Sequence, residues 1–220
     1  MASRASTRPK TRRRLPRAMR EEQMVDAATR LFARRGYGNA SMDDIADACG
    51  ITKPMLYAYF DSKEGLFTAC AEHGAERLRD AVRAASQGER RPELRLWRSL
   101  LAVFEFVDEN REAWSVLYPY GPTSAGPFAP AAGRARDAMA ELLGELFVDT
   151  ALGLGADPDA ARESEPLAHA LTGATIAMAS WSLAHPGEPR EQQAQRLMNF
   201  AWTGLRGVLR GKRWRPPAAT

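Results

Sequence analysis

From Arg17 onward, apolar residues recur every three or four positions, and no segment alternates with a period of two. The first helix carries Met24, Ala28, Leu31 and Phe32 on one stripe and ends at Gly36 and Gly38. Ser41 is placed to cap a second helix whose apolar face is Met42, Ile45, Ala46 and Cys49, with Asp43 and Asp44 in its favourable first turn. Gly50 breaks the chain. Thr52 caps a third helix, and Pro54 is tolerated in its first turn because the missing N–H has no partner there anyway. Asp61 and Ser62 interrupt again, and a fourth helix runs from about Lys63 to Ala85. Beyond the polar stretch SQGERRP a stripe of Leu94, Trp97, Leu101 and Phe104 ends near Asn110, followed by a short segment with Ala113, Trp114, Leu117 and Tyr118. PYGPTSAGPFAP is a loop by its proline and glycine content. A helix with Met139, Leu142, Leu143, Leu146 and Phe147 ends at GLGADPD, and two more span about 158 to 185 and 189 to 211, joined by HPGEP. The expected fold class is all-α, with about nine helices.

Charge changes this picture at one end. Of the net +4, residues 1–66 carry +5 and the rest −1, so a basic head precedes a near-neutral body. Such a balance points to a polyanion partner for the head. Residues 1–16, MASRASTRPKTRRRLP, contain no acid and little that could join a core; they are expected to be a disordered basic arm, with Arg12, Arg13 and Arg14 beside the first helix. A composition 45% hydrophobic and 26% charged is ordinary for a globular protein. No apolar run approaches the ~20 residues of a membrane span, and no apolar signal core stands at the N-terminus, so the cytoplasm is the expected location. Cys49 and Cys70 are too few for a disulfide scaffold and sit among apolar neighbours as small buried hydrophobes.

GITKPMLYAYFDSKEGLF, residues 50–67, is an odd recipe for a buried helix. Leu56 and Phe60 are four apart and share an inward face with Ile51. Thr52, Lys53, Met55, Tyr57 and Tyr59 cannot all join them, so several point outward. With Ala46 small at the helix crossing and Gly50 at the turn, the second and third helices have the anatomy of a helix-turn-helix. Outward residues at the start of its second helix meet base edges in the major groove. Lys53 suits guanine O6 or N7, Met55 a thymine methyl, and Thr52, Tyr57, Tyr59 and Lys63 the phosphate oxygens.

Residues of about 17–67, and within them AATRLFARRGYGNASMDDIADACGITKPMLYAYFDSKEGLF, resemble the DNA-binding domain of TetR-family (tetracycline-repressor-like) transcriptional regulators. The matching positions include Phe32, Gly36, Tyr37, Ile45, Ala46, Gly50, Leu56, Tyr57, Tyr59, Phe60, Lys63 and Leu66. The resemblance implies a bacterial homodimer on an operator of two half-sites. It implies base reading by Lys53, Pro54 and Met55, and phosphate contacts by Ser41, Thr52, Tyr57, Tyr59 and Lys63. Met55 stands where the family often has a small or hydroxylated residue. The implied division is a basic arm at 1–16, a helix-turn-helix domain at 17–66 and a helical effector-binding and dimerisation domain at 67–220.

In the second half the resemblance extends only to helix number and length. It implies a dimer interface on the last two helices, and the small and apolar residues Leu167, Gly173, Ala174, Ala177, Leu197, Gly204, Leu205 and Val208 allow one. Trp97, Phe104, Trp114, Tyr118, Met139, Leu143, Phe147, Thr172, Thr175 and Met178 are candidates to line a cavity for a largely apolar small-molecule effector. His73, His169 and His185 have no companions at metal-ligand spacing, so no metal is expected. Gly153 and Gly155 lead into Pro158 with no strand before them, so they are not a phosphate-binding fingerprint, and no cofactor is expected. The expected function is a ligand-responsive transcriptional regulator, a repressor, that binds operator DNA and is released by its effector. The alternatives are a constitutive DNA-binding protein without effector and an all-α enzyme, for which no convergent titratable groups appear.

Overall fold

The structure, a computed structural model, describes residues 16–118, 129–153, 155, 157–159 and 165–208. Among these residues there are nine helices and no strand: α1 (Arg17–Asn39), α2 (Met42–Cys49), α3 (Lys53–Phe60), α4 (Lys63–Ser86), α5 (Pro92–Glu109), α6 (Arg111–Leu117), α7 (Ala129–Gly153), α8 (Glu165–Ala184) and α9 (Arg190–Val208). The basic arm, with Arg12, Arg13 and Arg14, lies outside the described residues, as does most of the proline- and glycine-rich loop.

The helix ends follow from local chemistry. Gly36 adopts φ +71°, a backbone conformation that L side chains rarely adopt, and kinks α1 so that Tyr37 folds back. At Ser41 the hydroxyl accepts from the Asp44 N–H (3.1 Å), while the Asp44 carboxylate takes both the Ser41 N–H (3.3 Å) and the Ser41 O–H (2.6 Å). This reciprocal capping box satisfies two donors that a helix start otherwise leaves unpaired. Arg35 of α1 closes on the same carboxylate at 3.0 Å, and the Ser41 bonds, then Arg35, hold the Asp44 pKa below the usual carboxylate range. At the far end of α2, Gly50 sits at φ +65°; its N–H donates to Asp47 O and the Ile51 N–H to Ala46 O, both at 3.0 Å. That left-handed cap ends the helix and turns the chain into α3.

Two layers of packing follow. α1 lies against α2, α4 and α6, with α3 closing over α2 and α4. In the second half α4 packs on α5, α7 on α8, and α9 on α5 and α8. One core of buried side chains runs through both, from Met24 and Phe32 to Leu171 and Leu197. α4 is continuous through residues 66 and 67, and belongs to both layers. No helix among the described residues is long and apolar enough to cross a membrane.

Candidate functional site

α3 is short, and its orientation depends on two buried anchors. Leu56 is 0% exposed and Phe60 6%; burial of such side chains stabilises by ~1.5–3 kcal/mol each. Thr52, Lys53, Pro54, Tyr57 and Ala58 are then left exposed, and Met55 and Tyr59 are half-buried against the core edge. The structure therefore brings Thr52, Lys53, Pro54 and Tyr57 together on one open surface at the start of α3.

The side chains expected to contact DNA differ in how much of their bonding capacity is already taken. Thr52 occupies the cap position of α3, but its hydroxyl makes no capping bond. Its backbone carbonyl accepts from the Met55 and Leu56 N–H groups instead, at 3.0 and 3.2 Å. Thr52 thus holds the cap position expected of it, while its side chain is left on the surface. The Ser41 proton, in contrast, is donated to Asp44. Lys53 Nζ lies 2.8 Å from Oδ2 of Asp43, which raises the lysine pKa and keeps it charged. Lys63 Nζ sits 4.2 Å over the Tyr37 ring, and the Arg17 guanidinium carbon 5.1 Å over the Tyr59 ring. Both are cation–π contacts that leave the cation at the surface beside α3. Tyr37 OH donates to Glu64 at 2.6 Å, and its ring stacks among Phe32 and Phe67. Partial burial, then the Glu64 contact, pushes the Tyr37 phenol well above its usual range. Tyr37 thereby clamps the kinked end of α1 to the first turn of α4, fixing the floor on which α3 rests.

A second feature lies in the other layer. α4, α5, α6, α7 and α8 enclose a cavity with about 20 Å³ of free space, room for roughly one water-sized sphere. Six of the ten expected residues line it: Trp114, Tyr118, Met139, Leu143, Thr172 and Thr175. Trp97, Phe104, Phe147 and Met178 do not. Phe104 and Phe147 are buried at 2% and 3% exposure and serve as core, and Trp97 and Met178 are half-buried against it. Helical spacing alone does not separate a cavity wall from ordinary core. The sequence reading missed Leu78 and Val82 on α4, and Ser99, Leu100, Val103 and Ile176. Leu78 and Val82 continue the stripe of Leu66, Cys70, Ala71 and Ala75 along α4, and that continuation was the available signal.

Among the described residues, the cavity wall carries no charged side chain. Burial pushes the Tyr118 phenol up to about 12, so it stays protonated. The Trp114 indole N–H donates to Ser180 Oγ at 3.2 Å, Ser99 Oγ to the Arg95 carbonyl at 2.9 Å, and Thr175 Oγ1 to the Leu171 carbonyl at 2.7 Å. Among the described residues, no group of three or more His, Cys, Asp or Glu side chains is placed to hold a metal ion. Burial also pushes the Cys70 thiol up to about 12, which makes it a packing residue rather than a nucleophile.

The last two helices leave apolar side chains uncovered. Gly173, Ala177 and Trp181 are exposed at four-residue intervals on α8, and Phe200 of α9 is 74% exposed one turn before exposed Gly204. Of the residues expected at an interface, Leu197 is 2% exposed and lies in the protomer's own core, and Leu167 and Ala174 are half-buried. The side chains of Leu205 and Val208 lie outside the described residues.

Residues 24–70 match the family model for bacterial regulatory proteins of the tetR family, and residues 92–204 match that for the tetracyclin repressor-like C-terminal domain. The HTH-type transcriptional activator FasR of Mycolicibacterium smegmatis is 35% identical over 105 residues, which are 48% of this chain and 48% of FasR. The chain spans about half the length of such curated relatives. A TetR-like transcriptional regulator from Rhodococcus sp. RHA1 is 36% identical, with a TM-score of 0.69, covering 88% of this chain and all of that one. AibR, solved in complex with isovaleryl coenzyme A and operator DNA, has the same fold at 22% identity and a TM-score of 0.61, covering 82% of this chain and 97% of its own. These relatives are regulators rather than enzymes. With both halves of the architecture matched, the chain belongs to the TetR family of bacterial regulatory proteins.

Proposed function

We propose that this protein is a cytoplasmic transcriptional repressor that binds operator DNA as a homodimer and is released by a small-molecule effector. The observation that carries the reading is the open surface at the start of α3, where Thr52, Lys53, Pro54 and Tyr57 are exposed while Leu56 and Phe60 pin the helix from behind. A short helix so anchored fits the major groove, with Lys53, Pro54 and Met55 at the base edges. Thr52, Tyr57, Tyr59, Lys63 and Ser41 are the phosphate contacts in this reading, and Arg12, Arg13 and Arg14 add basic charge just before α1 in the sequence. Ser41 is the weakest member of that set, because its proton is already spent on Asp44.

Residues 17–66 form the reading head and residues 67–220 the sensing and pairing body in this proposal, with α4 common to both. The exposed stripe of α8 and α9 is the pairing surface. A pair is needed because two reading helices must lie ~34–36 Å apart to enter successive major grooves on one face of the duplex. The effector enters this cavity and must widen its small free space. Leu78 and Val82 sit on the cavity side of α4, and Lys63 sits at its other end, 15 residues from Leu78. That is about 22 Å along a rigid helix. A ligand that binds better when α4 is displaced favours splayed heads, and lowers operator affinity only by its differential affinity for the two states. The complex of AibR with isovaleryl coenzyme A and operator DNA supports this pairing of ligand and DNA on one fold.

The test is binding of the purified protein to DNA from the promoter region next to its own gene. Tyr57→Phe should weaken binding to operator and random DNA alike, as loss of a phosphate contact does. A change in which sequence is preferred would remove Tyr57 from that role. A constitutive DNA binder is the second reading, favoured by the small free volume of the cavity. A small molecule that releases the DNA decides against it.

A further inference from the structure

We propose that Thr172 Oγ1 is the polar anchor of the cavity, selecting a ligand whose buried part is uncharged and apolar but carries one acceptor oxygen, such as the carbonyl of a ketone or ester. This rests on the effector reading of the cavity given above. Thr172 is 3% exposed and lines the cavity, and among the described residues its hydroxyl is the one buried side-chain polar atom with no hydrogen-bond partner.

The contrast with its neighbours is chemical. A threonine inside a helix ordinarily donates to the carbonyl four residues back. Thr175, one turn along α8, does so to Leu171. Ser99 on the facing α5 does the same to Arg95, and the Trp114 indole is taken by Ser180. Thr175, Ser99 and Trp114 are thus satisfied within the protein, whereas the Thr172 hydroxyl is fully buried without a partner. A buried hydroxyl whose proton has no acceptor is destabilising, typically by enough to shift an equilibrium about tenfold or more. A ligand oxygen placed on it recovers that loss, which is a gain a hydrocarbon of the same shape does not have. A charged head has no such gain. Among the described residues the wall holds no cation to meet a carboxylate, and burying one unpaired costs more than the hydrogen bond returns.

The experiment uses the full chain and three probes of matched length: 2-heptanone, 2-methyl-1-heptene (which replaces the carbonyl oxygen by an isosteric methylene) and heptanoate. Binding is measured by calorimetry at neutral pH. Wild-type protein should bind the ketone about tenfold more tightly than the alkene, and heptanoate more weakly than the ketone by at least as much. In Thr172→Val, which keeps the volume and removes the hydroxyl, the ketone-to-alkene ratio should fall to near one, with the alkene bound as in wild type. Thr172→Ser, which keeps the hydroxyl, should retain the ketone preference. Thermal unfolding of Thr172→Val shows that the fold is kept, and a higher melting temperature than wild type supports an unpaired hydroxyl in the parent. A ratio that Thr172→Val leaves unchanged, or heptanoate binding as tightly as the ketone, overturns the inference while leaving the cavity a ligand site. Absence of binding by all three probes overturns it together with the effector reading.

Discussion

Lys53 Nζ lies 2.8 Å from Oδ2 of Asp43, so the first side chain of α3 is tied to the first turn of α2. Both groups are on the surface, with 46% and 65% of their side chains exposed, and the contact is open to competition by water and salt. Its effect is therefore directional rather than stabilising. It holds a charged ammonium, with a carboxylate next to it, at the turn of α3 proposed to face the groove.

The expectation for Asp43→Asn follows from that position. The freed lysine becomes available to any phosphate, and one negative charge facing the duplex is removed. Binding to random DNA should tighten more than binding to operator, so the ratio between them should shrink. The slope of log affinity against log salt should steepen by about 0.9 if one new phosphate contact forms. Lys53→Ala should instead relax the preference at one base-pair position per half-site, by about tenfold or more. Fluorescence anisotropy on operator and scrambled duplexes over a salt series reads both. An unchanged operator-to-random ratio in Asp43→Asn would mean that the ion pair does not orient the reader.

The turn between α3 and α4 has a tighter constraint. A Cβ built on Gly65 would lie 2.2 Å from the Phe60 carbonyl oxygen, while the Gly65 N–H donates to Ser62 Oγ at 2.9 Å. Asp61 supports the same turn at φ +58°. Gly65→Ala must push α3 away from α4, and overpacking of this kind costs ~1–3 kcal/mol. Gly133→Ala in α7 meets nothing within 4 Å and should stabilise by ~0.5–1 kcal/mol, through helix propensity. Urea unfolding at one fixed protein concentration compares the two. A Gly65→Ala protein as stable as wild type would show that α3 can shift freely, and its orientation would not be fixed by this contact.

How much of this was legible in the sequence depends on the kind of signal. The caps at Ser41 and Gly50 and the inward pair Leu56 and Phe60 were readable, because each is a local rule with few exceptions. Thr52 is the cap residue expected, but cap position and cap hydrogen bond are different things, and the backbone here takes the bonds itself. The cavity was half legible. Trp114 and Thr172 line it, but Phe104, on the same kind of stripe, packs elsewhere, since which side of a helix meets empty space is decided by partners far away in the chain. The Lys53–Asp43 contact spans ten residues and a turn, and only the geometry of the Gly50 cap brings the two together.

The proposed pairing surface gives the last prediction. Phe200 is 74% exposed, the most of any large apolar side chain among the described residues, and Trp181 is 39% exposed. Covering them stabilises the pair, because apolar area removed from water contributes ~25 cal/mol per Å². Phe200→Glu places a charge on that surface without touching the protomer's core. It should therefore yield monomers by sedimentation with helix content kept in circular dichroism, and operator affinity should fall, since one reading helix no longer brings its mate to the next groove. Leu197→Glu is the contrasting substitution three residues earlier in α9. Leu197 is 2% exposed, so its replacement buries an unpaired carboxylate and should unfold the chain rather than merely separate two copies. A Phe200→Glu protein that sediments as a dimer with wild-type operator affinity would move the pairing surface off α9.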